Sequence, residues 1–369
     1  MHTFIRLRHI HSTMVSAIPT VAKAWRFPPT QPLEWNSYHS LELRDVPVPR
    51  PGKGEVLVKI HAVALNASLG QYPGGAFTTG PDQAGLIPTS DGAGEIVAVG
   101  ESVDKWTIGD RVHSLFSEGW LSGPVQDQYW PTTLGSHTQG CLTQYRIFPA
   151  EFCLPIPEHL SYEQAAAIPC AGITAFNALF EFGTPTNRDS TVLVLGSGGV
   201  SVLGAQLAKA AGACVIATTS SEEKALKYKA LGVDHVINYR DTPAWADEVK
   251  RLAGGQGVDQ VLEIGGKGTL LEAVKAIRPG GVVHVISIPS EAPSASINDL
   301  AISILLKQGK LNGVAVGGKD VAERLDSFIS KHKVTPLVDS RVFEWTKAKD
   351  AFECLNSGAH FGKVVIKVD

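Results

Sequence analysis

The sequence is poor in cysteine, and the few it has are scattered. Cys141, Cys153, Cys170, Cys214 and Cys354 are odd in number and never spaced as C-x-x-C. That argues against a disulfide framework and fits a reducing compartment. Long apolar runs are missing too: no stretch reaches the roughly 18 uninterrupted apolar residues of a membrane span. The nearest, Ala165 to Phe180, is broken by Pro169, Thr174 and Asn177, and reads as a buried helix preceded by a Pro-marked turn. Excess charge is absent. The formal net charge is -3, and no Lys/Arg cluster with interleaved aromatics occurs, so neither a nucleic-acid nor a membrane partner is expected. Acidic residues are lacking at the start: none precedes Glu34, while Arg6, Arg8, Lys23 and Arg26 occur with Ser12, Thr13 and Ser16 nearby. This fits a mitochondrial transit peptide, and equally a mis-assigned start ahead of Met14 or a frayed tail. The expected compartment is cytoplasmic, with mitochondrial targeting as the alternative.

What is present is the balance of an ordinary globular chain, 44% hydrophobic and 19% charged over 369 residues, a length that suggests two domains. From about Val21 to Pro157 short apolar runs are punctuated by Pro and Gly, as in an irregular barrel. Ser117 to Gly140 reads as a long excursion loop, whose Trp120–Trp130 part carries the aromatics of an apolar lid, a barrel-packing loop or a subunit contact. After Ser161, which with Gln164 makes a capping-box pattern, strands and helices alternate. The strands are expected at 191–196, 214–218, 235–238, 260–264 and 282–286, and the helices at 200–211, 222–231, 244–252 and 270–277. In the last helix Thr269 and Glu272 are placed to cap. Such alternation means an α/β fold with a parallel sheet covered on both faces.

Residues 192–199 read VLVLGSGG and run straight into a small-residue helix. An apolar strand entering such a turn is the context of a dinucleotide site. Gly196 permits the tight turn, and Gly198 lets a pyrophosphate approach. The N–H groups of Gly199, Val200 and Ser201 then point at the anion from a helix N-terminus. An NAD site carries an acid about 20 residues further on, at the end of the second strand. Here that strand ends in Ala217-Thr218-Thr219-Ser220-Ser221, and Lys224 sits in the following first turn, where a cation is disfavoured unless an anion is present. Hydroxyls plus a lysine suit a 2′-phosphate, so the cofactor expected is NADPH. Gly265 and Ile286, at the ends of the fourth and fifth strands, are included as cofactor positions.

The segments GSGGVSVLGAQLAKAAGACVIATTSSEEK, LGVDHVINYR, PCAGITAFNAL and HFGKVVI together resemble the medium-chain dehydrogenase/reductase superfamily, most closely its zinc-independent, quinone-oxidoreductase-like branch. The resemblance covers nearly all of the chain from Val21. Behind a flexible or targeting tail (1–20), it implies a GroES-like β-barrel catalytic domain (21–160, completed by 320–369) and a Rossmann doubly wound parallel sheet (161–319) that binds NADP. It further implies that Ser220, Lys224 and Tyr239 hold the 2′-phosphate, that Thr174 packs near the nicotinamide, and that Lys363 lies near the cofactor phosphates. Dimers or tetramers are the family tendency.

Zinc-dependent relatives place a Cys, a His-Glu pair and a further Cys around the metal. Those positions read Asn66, Ser90-Asp91 and Cys170 here, and the structural-zinc cysteines are missing, so no metal is expected. Cys170 reads as a small buried hydrophobe. The twelve histidines form no H-E-x-x-H pair, and His61, His113 and His137 read as ordinary surface or barrel residues. Without a metal to polarise an alcohol, the chemistry reduces to positioning a hydride donor. Quinones and α,β-unsaturated carbonyls, already activated, fit best, with Asn66 and Tyr72 as candidate donors to the developing oxyanion. Relatives follow the Asn with Tyr-Arg-Asp, whereas this chain has Ala67-Ser68-Leu69. The alternatives are an alcohol/aldehyde dehydrogenase and a non-catalytic NADPH-binding sensor or partner.

Overall fold

The structure, a computed structural model, describes residues 18–30, 34–66, 85–287 and 296–369. It opens with an antiparallel pair, β1 (Val21–Arg26) and β2 (Glu42–Pro47). The barrel strands follow: β3 (Glu55–Ala64), β4 (Asp91–Val99), β5 (Arg111–His113), β6 (Tyr145–Pro149) and β7 (Leu154–Pro155). β3 is the longest. It is buried along most of its length, alternating with half-buried positions only over Val58–Ala62, and pairs antiparallel with both β4 and β6. Within the barrel, Val56, Val58, Ile60 and Ile96 pack on Phe148 and Trp106.

The chain then crosses over through one continuous helical run. Ser161 and Gln164 make both capping-box hydrogen bonds at the start of α1 (Tyr162–Ala165). A π-helical turn, Ile168–Gly172, leads into α2 (Ile173–Phe176), and a second, Asn177–Glu181, ends the run. Pro169 was read as marking a turn before a buried helix. It sits instead at the head of the first π turn, where a missing N–H costs little, so the helical path does not break there.

The second half is a parallel sheet covered by helices. In chain order come β8 (Thr191–Leu195), α3 (Gly199–Ala210), β9 (Cys214–Thr219), α4 (Glu222–Ala230), β10 (His235–Asn238), α5 (Trp245–Leu252), β11 (Val258–Glu263), α6 (Leu270–Ala276), β12 (Ile277–Val285), α7 (Ile297–Lys307) and β13 (Lys310–Gly313). The strand order β10-β9-β8-β11-β12-β13, all parallel, is the doubly wound Rossmann arrangement. Ile277, expected to end α6, already pairs with Val258 as the first residue of β12. Thr269 does not cap α6 either. Its hydroxyl donates to Glu263 Oε1 at 2.7 Å, a stronger, charged acceptor.

The remaining elements are α8 (Lys319–His332), β14 (Val338–Phe343), α9 (Ala348–Asn356) and β15 (Lys363–Lys367). β15 runs back into the first sheet, antiparallel to β3 with Val365 opposite Ala64. The first and second sheets therefore share one apolar cluster, in which Ala62, Ala64 and Val365 meet Ile168, Ile173, Leu203 and Leu325. Fully burying each such Ile or Leu contributes about 1.5–3 kcal/mol.

Two buried histidines sit at the seams of this packing. His284 on β12 lies 2.9 Å from Gln260 Oε1, while Gln260 Nε2 donates to Thr186 Oγ1. Burial drives the His284 pKa down to about 4, so the ring is neutral and donates through Nε2. His113, read as an ordinary residue, is fully buried between Ser114 O (2.8 Å) and Asp326 Oδ2 (3.1 Å) on α8. Burial alone would lower its pKa, but the Asp326 charge and both hydrogen bonds outweigh that and raise it. The two act oppositely on stability. The unfolded chain binds the proton of position 284 more readily than the folded one, so stability falls as pH drops from about 6.5 toward 4. The folded chain holds the proton of position 113 more tightly, so that contribution is full below about 6.5 and is lost as pH rises through the raised value. Thermal melts across pH 4–9 should therefore show His284→Gln flattening the acid limb and Asp326→Asn flattening the alkaline limb. Unchanged limbs in both variants contradict the assignment.

Candidate active site

A cleft of about 480 Å³ opens where the carboxyl ends of β8 and β9 face the start of β15. Its base is the turn after β8. Gly196 has φ +72°, a left-handed conformation that any side chain would strain. Tyr228, fully buried on α4, donates its hydroxyl to the Gly196 carbonyl at 2.7 Å and fixes the turn from behind. Gly198 is the N-cap of α3. A Cβ there would meet nothing of the protein closer than His360 Nε2 at 3.7 Å, so the space beside it is left open. The first N–H groups of α3 have no helical acceptor and face an anion favourably. Gly204 brings the helix down onto the sheet, since a Cβ there would lie 2.3 Å from Leu262 Cδ1.

One end of the cleft is lined by Thr219, Ser220, Lys224 and Tyr239. Thr219 Oγ1 is buried with no hydrogen-bond partner among the described residues. Lys224 Nζ donates to the Gly358 carbonyl at 2.7 Å. Its neighbouring acids turn elsewhere, Glu223 to Lys227 at 2.8 Å and Glu222 to Lys229 at 3.8 Å. Burial and the charge of Lys227 hold the Lys224 pKa below its ordinary value, against the pull of Asp339 and Glu223. His360 is likewise held low, by burial and then by Lys224. This end is thus a half-buried basic corner with an unused hydroxyl, which fits an anionic group of a dinucleotide.

The other end is lined by Leu65, Asn66, Cys170, Ala171, Ile286 and Ser287. Lys363 reaches it from β15. Its stem crosses the head of α3, where a Cβ on Gly199 would come within 2.9 Å of Lys363 Cδ. Its ammonium donates to Asn66 Oδ1 at 2.5 Å and pairs with Asp91 Oδ2 at 3.1 Å, with side-chain exposures of only 4% and 0% for Lys363 and Asp91. Ser90 Oγ donates to Asp91 Oδ1 at 2.6 Å and accepts from Asn66 Nδ2 at 3.3 Å. The Cys170 thiol is pushed up to about 12 by burial and then by Asp91. These donors do not suit zinc: an amide, a hydroxyl and a carboxylate already tied to an ammonium, plus one protonated thiol. No group of three or more His, Cys, Asp or Glu able to hold a metal occurs among the described residues.

The cleft therefore brings together Asn66, Gly196, Gly198, Gly199, Val200, Ser220, Lys224, Tyr239, Ile286 and Lys363. It does not include Thr174, Ser201 or Gly265. Thr174 is buried in α2 within hydrogen-bond reach of the Cys170 thiol. The Ser201 hydroxyl turns inward to the Leu195 carbonyl at 2.6 Å, leaving only its N–H for a ligand. Gly265 donates its N–H to Glu263 Oε1, and a Cβ there would strike Thr269. Tyr72 lies outside the described residues. The Trp120 loop packs on the head of α8, where Lys319 N donates to Trp120 O at 2.9 Å, and none of its residues lines the cleft. Tyr228, His360 and the Asp91–Lys363 pair were missed from sequence. Ser90-Asp91 had been read only as a vacant ligand position.

A Rossmann turn facing a barrel-borne polar floor defines a nicotinamide-dependent dehydrogenase or reductase. Comparison with known proteins agrees. Residues 52–158 match the model of the alcohol dehydrogenase GroES-like domain, and residues 199–331 that of the zinc-binding dehydrogenase. A zinc-type alcohol dehydrogenase-like protein of Schizosaccharomyces pombe is 36% identical, with 91% of this chain and 97% of that protein covered. An NADPH-dependent alkenal/one oxidoreductase of Arabidopsis thaliana is 29% identical, covering 97% and 82%. The crystal structure of a putative alcohol dehydrogenase from Sinorhizobium meliloti 1021 superposes with a TM-score of 0.85 at 34% identity, covering 95% of this chain and all of that one. The chain belongs to the medium-chain dehydrogenase/reductase superfamily and is an oxidoreductase acting on a small molecule with a nicotinamide cofactor. No helix among the described residues is long and apolar enough to cross a membrane.

The Tyr228 hydroxyl is the sole side-chain support of the Gly196 carbonyl given by the described contacts. Tyr228→Phe should lower unfolding free energy in urea by about 1–2 kcal/mol, the cost of a buried acceptor left unpaired. A loss below about 0.3 kcal/mol contradicts that role.

Proposed function

We propose that the protein is an NADPH-dependent reductase that works without zinc and delivers hydride to a quinone or an α,β-unsaturated carbonyl. The observation that carries this reading is the engagement of Asn66, Ser90 and Asp91 with one another and with the Lys363 ammonium, which removes the Lewis acid an alcohol dehydrogenase relies on. The dinucleotide, when bound, supplies the hydride. Ser220, Lys224 and Tyr239 hold its 2′-phosphate, the first N–H groups of α3 face its pyrophosphate, and Ile286 packs toward its nicotinamide. Preference for NADPH follows from the absence of a carboxylate at the end of β9 and from half-buried Lys224, whose depressed pKa an incoming phosphate would raise again by pairing with it. The alkenal/one relative, named as NADPH-dependent, supports the same choice.

A second reading is an alcohol dehydrogenase, favoured by the names of the yeast relative and of the matched domain model. Elemental analysis of the purified protein separates the two, since about one zinc per chain belongs only to the second. Steady-state assays with quinones, enones and simple aldehydes test the first. Lys224→Ala should raise the KM for NADPH about 10- to 100-fold and leave that for NADH within about twofold, the loss of one charge-assisted contact. Equal use of NADH and NADPH by the parent protein overturns the phosphate assignment.

The working unit is a homo-oligomer, a dimer or a tetramer. α7 packs Leu300 and Ile304 partly against its own chain and exposes Leu305 (74%) and Leu306 (78%), beside β13, which ends the sheet among the described residues. An apolar helix next to a free strand edge suits a second copy of the same surface. Leu305→Glu combined with Leu306→Glu should yield a monomer by light scattering, whereas an unchanged mass contradicts this interface.

A further inference from the structure

We propose that the Lys363 ammonium is itself the electrophilic group of the reaction, the donor that meets the substrate oxygen at the place where zinc-dependent relatives hold their metal. The proposal rests on the reductase reading above and extends it to one atom. Asn66, Ser90-Asp91 and Cys170 occupy the metal-ligand positions of the family. Lys363 Nζ touches the first and pairs with the carboxylate of the second, and its charge lies near enough to Cys170 to affect the thiol. A cation therefore already stands among these positions, and it is an organic one.

Its direction follows from the stem. Lys363 passes over Gly199, at the helix N-terminus that faces the pyrophosphate, and its head lies beyond, beside Asn66. That is the end of the cleft away from Ser220 and Lys224, and so the nicotinamide end. An ammonium carries three N–H groups. One is used on Asn66 Oδ1, Asp91 Oδ2 lies at ion-pair distance (3.1 Å) without accepting a hydrogen bond, and no further acceptor for Nζ occurs among the described residues. The Ser90 hydroxyl, bonded to both Asn66 and Asp91, holds the two side chains in place. With Asp91 ionised the pair is neutral overall, so a substrate oxygen meets a directed N–H in a dry setting rather than a bare charge. Such preorganised donors act on the charge that develops in the transition state.

The step balances simply. The β-carbon of the enone gains the hydride with its two electrons, while the dinucleotide is oxidised. The alkene π pair moves toward the carbonyl, whose oxygen becomes the enolate O⁻ opposite Lys363 Nζ. Solvent supplies the proton to the α-carbon, and Lys363 keeps its own.

Removing Lys363 alone strands a buried Asp91 and risks unfolding. The test therefore compares the parent with Lys363→Met and with the double variant Lys363→Met/Asp91→Asn, which buries no net charge. A nitrophenol, whose phenolate mimics the enolate, is titrated with pH in the presence of NADP⁺ and followed by its phenolate absorbance, which needs no turnover. The proposal expects the bound phenol to ionise at lower pH than the free one in the parent, and this shift to vanish in the double variant. It expects kcat to fall about 10²- to 10³-fold, with NADPH affinity, read by fluorescence titration, within about threefold. Weakened NADPH binding with kcat retained would overturn it, because the ammonium then serves the pyrophosphate. So would a phenol shift that survives the double variant. A shift present in the parent without reduction of any quinone or enone upholds the inference and overturns only the hydride acceptor.

Discussion

The start of the last strand is where the two halves of the molecule are joined, and a buried charge is the fastening. Gly362 donates its N–H to the Ser197 carbonyl in the dinucleotide turn, and the next residue, Lys363, carries its ammonium through to Asp91 on the barrel. Gly362 has φ +85°, and a Cβ there would lie 2.5 Å from the Leu337 carbonyl, so the strand reaches the turn only because this position is glycine. Asp91 and Lys363 are buried together, so each offsets part of the desolvation of the other, and removing either one would leave its partner buried alone. The same pair that joins the sheets also sets the floor of the cleft.

The cleft's polarity follows from that arrangement. The head of α3 lies midway, a basic corner around Lys224 at one end and the Asn66–Asp91–Lys363 floor at the other. On the proposed reading, a dinucleotide stretched between them would place its phosphates at the first end and its hydride at the second. On that reading, the ammonium tied to Asn66 and Asp91 takes the place a divalent cation would need and supplies the donor instead.

Much of this was legible in the sequence where local rules govern. The capping box at Ser161, the left-handed glycine at Gly196 and the alternation after Thr191 each depend on residues close in the chain, and each was readable. The lack of an acid after β9 was equally local. What escaped depends on contacts across long separations. Lys363 and Asn66 lie 297 positions apart, and His113 and Asp326 lie 213 apart. No spacing or periodicity encodes such meetings. Ser201 was assigned to the cofactor because of its position at the helix start, yet its hydroxyl found the carbonyl of Leu195, six residues earlier at the end of β8. Thr269 likewise left its cap for Glu263, a charged acceptor six residues earlier around which the loop after β11 closes. Competition between acceptors decides these side chains, and competition is settled in three dimensions.

The central claim is a hydride delivered to an activated carbon over a floor without a Lewis acid. It is tested most directly by following the label from NADPH deuterated at the nicotinamide C4 into an α,β-unsaturated ketone, with the product read by NMR. The account predicts a saturated ketone carrying deuterium at the β-carbon and solvent hydrogen at the α-carbon. Deuterium at the carbonyl carbon, in an allylic alcohol, would contradict it.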